Sequence, residues 1–196
     1  NSFQIVAPNG DTIIDGAVDR ETLDQMSRGK GSFDEQAYER VLTAMTRSPT
    51  VMITHEHLDH VMAIARHPQP ADIARNLDLT AAQLAGLPQH APNGQLAPEI
   101  AGATQLDLTQ PQRIAPGVVA VAMPGHSPGT ILIYAKTDTR EYLFIGDIAW
   151  VMGSVEHLRG RPRFITWIMP GVDPGREDVL RQLRALVAVV EEGTFT

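Results

Sequence analysis

Apolar residues fall along the chain in short runs punctuated by glycine and proline, which predicts many short elements rather than a few long ones. Residues 2–6 and 11–15 are two such runs joined by Pro8-Asn9-Gly10, a hairpin signal. Phe33, Ala37, Val41, Leu42 and Met45 then recur at helical spacing up to Arg47, with Asp34 and Glu35 in the first turn, where the helix dipole favours acids. Pro49 breaks that helix, and Thr50-Val51-Met52-Ile53-Thr54 reads as a short buried strand. Residues 55–60 follow as a loop and 61–66 as the next helix. From Pro68 to Pro98 the pattern is short helices and turns, clearest at 71–77 and at 80–87 with Thr80 as N-cap. The proline density there predicts a compact helical excursion rather than a core element. Strands return at 118–122, 131–134 and 142–145, the last ending on Gly146-Asp147. Residues 150–173 show no clean period. Asp173-Pro174 opens a helix through Leu180, Leu183, Leu186, Val187 and Val190, stopped by Gly193, and Thr194-Phe195-Thr196 reads as the start of one more strand.

Composition narrows the function. The 196 residues are near the size of one large domain, and 43% hydrophobic with 20% charged is ordinary globular usage. A net charge of −7 argues against nucleic acid as a partner, because phosphate binding needs a basic surface. No apolar run approaches the roughly eighteen residues of a membrane span, so a soluble protein with no membrane partner is expected, its compartment and oligomeric state left open. No Met-led basic and apolar leader opens the chain, so a signal peptide is expected to be absent or removed. The absence of cysteine excludes disulfide frameworks, thiolate metal sites and cysteine nucleophiles.

Three of the seven histidines fall inside His55-Glu56-His57-Leu58-Asp59-His60. Positions i, i+2 and i+5 do not share a helix face, and a strand would send His60 away from His55, His57 and Asp59. A loop leaving a strand can splay two pairs of side chains toward two neighbouring points. That suits two adjacent metal ions held by neutral imidazoles and a carboxylate. The helical pattern H-E-x-x-H fails, because its second His would fall on Asp59, so Glu56 is not read as a general base.

With that hexapeptide the chain resembles the metallo-β-lactamase superfamily, whose hallmark is H-x-H-x-D-H after a buried strand. The other motifs follow in order: Asp15-Gly16 after an early strand, Gly125-His126-Ser127-Pro128-Gly129 as its G-H-[ST]-x-G loop, and Gly146-Asp147 as its later strand-end aspartate. The resemblance spans roughly residues 2–196. It implies an α+β fold, a four-layer αββα sandwich, as a single domain over 1–196. It also implies that His55, His57 and His126 hold one metal, that Asp59 and His60 hold a second, and that Asp147 lies between them. Asp15 would hydrogen-bond the metal loop from outside the ligand set.

Three departures qualify the match. The family's last ligand, a His after a strand following the final long helix, is expected just past residue 196 or lost by truncation, since that strand begins at Thr194. The amino end starts at the family's second strand, so both ends are expected to be trimmed. Val61-Met62-Ala63 replaces a Gly-rich step and is expected to reshape the pocket floor.

Such a metal pair lowers the pKa of bound water toward neutrality. The expected function is therefore a metallo-hydrolase in which metal-bound hydroxide attacks the carbonyl of a small ester, thioester or lactone, with Asp59 as the catalytic carboxylate that orients the nucleophile and relays its proton. Zinc is the expected metal, one or two ions per chain, with iron or manganese also suited to these donors. The pattern is nearest the lactonase, thioesterase and glyoxalase II branch. A β-lactamase with a Cys ligand is excluded, the Cys-free type stays open, and His57 stands where a flavodiiron reductase would have a carboxylate. A tRNA-processing nuclease fits the ligands but not the acidic charge. The contrasting expectation is a non-catalytic or weakly catalytic metal-binding domain, motivated by the absent last ligand. Outside the motifs, His67 and His90 read as solvated, and His157 comes too early to replace that ligand. Arg159, Arg161 and Arg163 read as a solvated loop ahead of a site for a substrate carboxylate, and Trp150 and Trp167 as packing or pocket residues.

Overall fold

The computed structural model describes residues 2–168 and 177–191. The chain forms two compact units, Asn1–Gln110 and Pro111–Thr196. Helices and strands mix in both, the α+β class expected.

In the first unit, β1 (Phe3–Ile5) pairs antiparallel with β2 (Thr12–Ile14), with Phe3 opposite Ile14. The connecting turn needs Gly10: its φ is +119°, and a Cβ there would lie 2.5 Å from Pro49 Cγ. A helix absent from the hydrophobic reading, α1 (Arg20–Ser27), is capped by Asp19, which accepts from the Thr22 N–H at 2.9 Å. Its mostly polar residues bury only Thr22, so no apolar stripe announces it. The predicted helix is α2 (Glu35–Arg47), capped by Asp34 and burying Leu42 and Met45. Next, β3 (Thr50–Met52) lies parallel to β2, placing Val51 beside Ile13 in a sheet of order β1-β2-β3. The chain turns directly into α3 (Leu58–Ala65), where Val61, Met62 and Ala63 are all buried.

Three short helices follow: α4 (Pro70–Ala74), α5 (Ala81–Gly86) and α6 (Pro98–Ala101). Thr80 caps α5 as predicted, in a reciprocal capping box with Gln83. The expected excursion outside the core is a correction, because this region completes the core. Ile73, Leu77, Leu79, Leu84, Leu87 and Ile100 are buried in one cluster with Ile13, Met45, Val51, Ile53, Val61 and Ile64. The Val51 N–H donates to Asn76 O at 2.7 Å, and the Asp78 N–H to Val51 O at 2.9 Å, so the segment at 76–78 runs alongside β3. Pro70 and Pro98 each start a helix at its first position.

The second unit is an antiparallel meander of β4 (Gln112–Ala115), β5 (Val118–Ala122), β6 (Ile131–Lys136) and β7 (Glu141–Phe144) in that order. The first strand was not visible in the apolar pattern because Gln112 and Arg113 are exposed. Three helices follow: α7 (Met152–Glu156), α8 (Arg163–Ile168) and α9 (Glu177–Glu191). Val179, Leu180 and Leu183 of α9 pack with Met123, Leu132, Ile148 and Val155. The expected helix start at Asp173-Pro174, its stop at Gly193 and the strand start at 194–196 lie outside the described residues. No helix among the described residues is long and apolar enough to cross a membrane.

Candidate metal centre

The hexapeptide is not all loop. Its first half leaves β3 in extended form, while Leu58, Asp59 and His60 already form the first turn of α3, with the His60 N–H bonded to His57 O at 3.0 Å. That change of conformation solves the convergence problem. His55 arrives from the strand and His60 from the helix, and their ring centroids stand 4.0 Å apart. His57 sits at the N-cap position of α3, its ring nearly perpendicular to that of His55 at 4.7 Å. His55 and His60 are buried, while the Asp59 carboxylate is about half exposed (48%).

Asp15 supports this turn from the end of β2. Its backbone is in the left-handed region (φ 65°), a conformation uncommon for a residue with a side chain. Its carboxylate accepts from the Thr54 N–H at 2.7 Å and from the Thr54 hydroxyl at 3.0 Å, and lies 2.9 Å from His60 Nδ1. The Thr54 hydroxyl also faces His55 Nδ1 at 3.1 Å. A single hydroxyl that donates to Asp15 can accept from His55 Nδ1–H, which leaves His55 Nε2 as the lone-pair nitrogen. Asp15 likewise holds His60 through Nδ1, and His60 Nε2 stands 3.3 Å from Asp59 Oδ2. Sequence reasoning placed Asp15 near the metal loop and missed Thr54, although Thr54 directly precedes the motif.

The charges reinforce one another. Burial opposes a charge on His60, but the Asp15 and Asp59 carboxylates outweigh it and push its pKa up to about 9. The His60 N–H in turn holds Asp59 well below the usual carboxylate range, against the opposing effect of burial. Three imidazoles and a carboxylate gathered at one strand-to-helix turn, two of them oriented through Nδ1, form a donor set suited to a divalent transition metal.

In the second unit, His126 and Asp147 lie near one another. His126 lies in the turn between β5 and β6 with its side chain buried, and its Nε2 is 3.9 Å from Asp147 Oδ2. The turn is pinned by Ser127, whose N–H donates to the Thr130 hydroxyl at 2.9 Å. Asp147 occupies a 3₁₀ turn, Gly146–Ile148, just past β7. Arg161 donates to the Asp147 carbonyl, and its guanidinium lies over the Trp150 ring, 4.3 Å from the centroid. Arg161 is thus tied to the Asp147 turn rather than solvated.

Two other histidines differ from the solvated reading. His67 is buried, with Nδ1 accepting from the Gln69 N–H at 3.1 Å and Nε2 facing Leu42 O at 3.4 Å. His90 is half-buried and directs Nε2 at the Glu56 carbonyl, 3.1 Å away. Their sequence neighbours gave no sign of the distant carbonyls they meet. Trp167 is 82% exposed and His157 lies exposed at the end of α7.

No protein-family model matches the sequence, and no curated protein matches it. Solved structures do match its fold. An N-acyl homoserine lactone hydrolase with N-hexanoyl-L-homoserine bound at its metal centre aligns over 97% of this chain and 76% of its own, at a TM-score of 0.61 and 15% identity. A probable metal-dependent hydrolase from Staphylococcus aureus aligns over 96% and 69%, at 0.66 and 15%. A protein solved in a di-iron-bound form aligns over 96% and 81%, at 0.55 and 24%. At these identities the likeness establishes the fold alone: the chain has the metallo-β-lactamase type of fold that its motifs resemble.

Proposed function

We propose that the chain is a metal-dependent hydrolase that opens a small ester, thioester or lactone. In this reading His55, His57 and His126 hold one ion, Asp59 and His60 hold a second, and Asp147 is shared. On this reading residues 1–196 work as one domain.

The observation that carries the reading is the strand-to-helix turn at 55–60. There Asp15 and Thr54 orient His60 and His55 through Nδ1, the arrangement by which metal-binding imidazoles are held elsewhere. Buried imidazoles held by hydrogen bonds beside a carboxylate are costly to bury for packing alone, which supports the metal reading of the motif. Imidazole and carboxylate donors without thiolate suit zinc first, and iron or manganese as well. The di-iron form of one similar structure keeps iron in view.

A bound pair of such ions supplies water acidified toward neutral pH. The chain's own part is to position and to move protons. Asp59, half exposed, offers a carboxylate oxygen that would orient a nucleophilic water and accept its proton. The Asp15–Thr54 pair keeps the imidazoles from turning while this happens. Similarity to N-acyl homoserine lactone hydrolases supports an ester or lactone carbonyl as the point of attack.

The test is elemental analysis of protein purified without chelator or added metal, followed by turnover of lactone, thioester and β-lactam panels. About two ions per chain with lactone or ester hydrolysis is the expected result. Two ions without turnover would leave a metal-binding domain only, and no uptake even of added zinc would end the metal reading.

A further inference from the structure

The segment from α5 to His90, read from sequence as peripheral, touches the metal loop at three successive points. Gln83, fully buried, donates from Nε2 to Ile53 O at 2.9 Å while its Oε1 accepts from the Thr80 N–H, also at 2.9 Å. Gly86 lies so close to Glu56 that a Cβ there would stand 2.5 Å from Glu56 Cγ. His90 reaches the Glu56 carbonyl through Nε2 at 3.1 Å. Positions 83, 86 and 90 thus meet two residues of the strand exit that delivers His55 and His57, Ile53 once and Glu56 twice.

His90 is itself held. Its carbonyl accepts from Arg66 Nε at 3.0 Å, and Arg66 Nη1 lies 3.0 Å from both Asp19 Oδ2 and Glu21 Oε2. Arg66 ends α3, the helix that carries Asp59 and His60, and Asp19 caps α1. One guanidinium therefore joins the end of the ligand-bearing helix, the cap of α1 and the turn that presents His90.

We infer that the Thr80–His90 segment is a clamp on the metal loop and that His90 is its positioning residue, fixing the peptide between His55 and His57 through the Glu56 carbonyl. The inference rests on the metal reading for its effect on affinity, but not for its effect on the loop. The Glu56 carbonyl belongs to the Glu56–His57 peptide, so its direction sets how the His57 side chain leaves the backbone. A loop fixed in this way binds an ion without first having to be ordered, which is the advantage of preorganisation. Burial lowers the pKa of His90, which favours the neutral ring whose Nε2–H makes this bond.

The experiment compares the full chain with His90→Ala and His90→Gln, the second retaining an N–H donor of similar reach. Zinc is titrated calorimetrically into metal-stripped protein, and amide exchange is followed by mass spectrometry in the metal-free state. The expected result for His90→Ala is zinc affinity weaker by about 10- to 100-fold, the usual cost of losing an outer partner of a metal site. Exchange should quicken at 54–57 while β1 and β2 stay protected, and His90→Gln should restore both. Unchanged exchange at 54–57, exchange raised throughout the first unit, or equal losses in both variants would overturn the clamp. If the wild-type chain takes up no zinc, the proposed function fails, and the exchange comparison alone decides the clamp.

Discussion

Replacing Thr54 with valine removes one hydroxyl and almost none of the shape. Thr54 is 1% exposed and Asp15 2% exposed, so water has no route to take the hydroxyl's place. The Asp15 carboxylate loses a donor 3.0 Å from Oδ1 and 3.1 Å from Oδ2, keeping the Thr54 N–H and His60. A hydrogen bond to a charged group is worth about 1.5–3 kcal/mol net, and the buried setting places the loss toward the upper half of that range. For a chain of this size each kcal/mol moves the melting temperature by about 2–4 °C, so the metal-free variant should melt roughly 5–10 °C lower. The same substitution removes the oxygen facing His55 Nδ1, and zinc affinity should fall by a further factor of about 10 to 100.

The assay is thermal unfolding of the metal-stripped chain with zinc titration alongside, for wild type, Thr54→Val and Thr54→Ser. Serine keeps the hydroxyl and loses the methyl, so it should cost stability but hold zinc nearly as well as threonine. If serine and valine weaken zinc equally, the methyl contact and not the hydrogen bond sets the site. A fall in melting temperature of under 1 °C for valine would refute the electrostatic argument outright.

Burial lowers the pKa of His67 below its ordinary value of 6.5 and keeps it neutral, with Nδ1 accepting from Gln69. The unfolded chain then binds this proton first, so stability falls as pH drops through about 6.5, and His67→Gln should flatten that part of a urea-unfolding profile between about pH 7 and 5; an unaltered slope would discard the argument. Gly125 meets Val179, whose Cγ2 would lie 2.5 Å from an added Cβ. Gly125→Ala should therefore cost about 1–3 kcal/mol by overpacking, and Val179→Ala in the same chain should recover part of it, whereas simple additivity in the double mutant would show that this contact is not responsible.

What could be read before the fold was known divides by the distance over which a residue acts. The β1–β2 hairpin, α2 and the Thr80 cap are specified by neighbours within a few positions, and all appear where the pattern placed them. The hexapeptide was legible for a different reason, since three imidazoles and a carboxylate within six residues are uncommon whatever conformation they take. Its conformation was less so: the pattern admitted a loop, and only the packing of Val61 and Ile64 into the core shows why α3 starts early enough to turn His60 toward His55. The 70–100 region was misjudged because each short helix buries a single large apolar residue, Ile73, Leu84 or Ile100, too few to show a period, while their burial depends on β3 being alongside.

The least legible contacts are those that orient the ligands. Asp15 reaches Thr54 across 39 positions, Gln83 reaches Ile53 across 30, and His90 reaches Glu56 across 34. Each uses a common residue type whose partner is a backbone group or a hydroxyl, so neither spacing nor composition marks it. Ligands must be chemically distinctive because the metal selects atoms. The residues that aim them need only one hydrogen-bonding group in the right place, and many side chains can supply it. The 83–90 segment can therefore differ from chain to chain in residue type while the demand for a fixed Glu56 peptide stays the same. Restoration of the loop by His90→Gln, a different residue with the same donor, is what that argument requires.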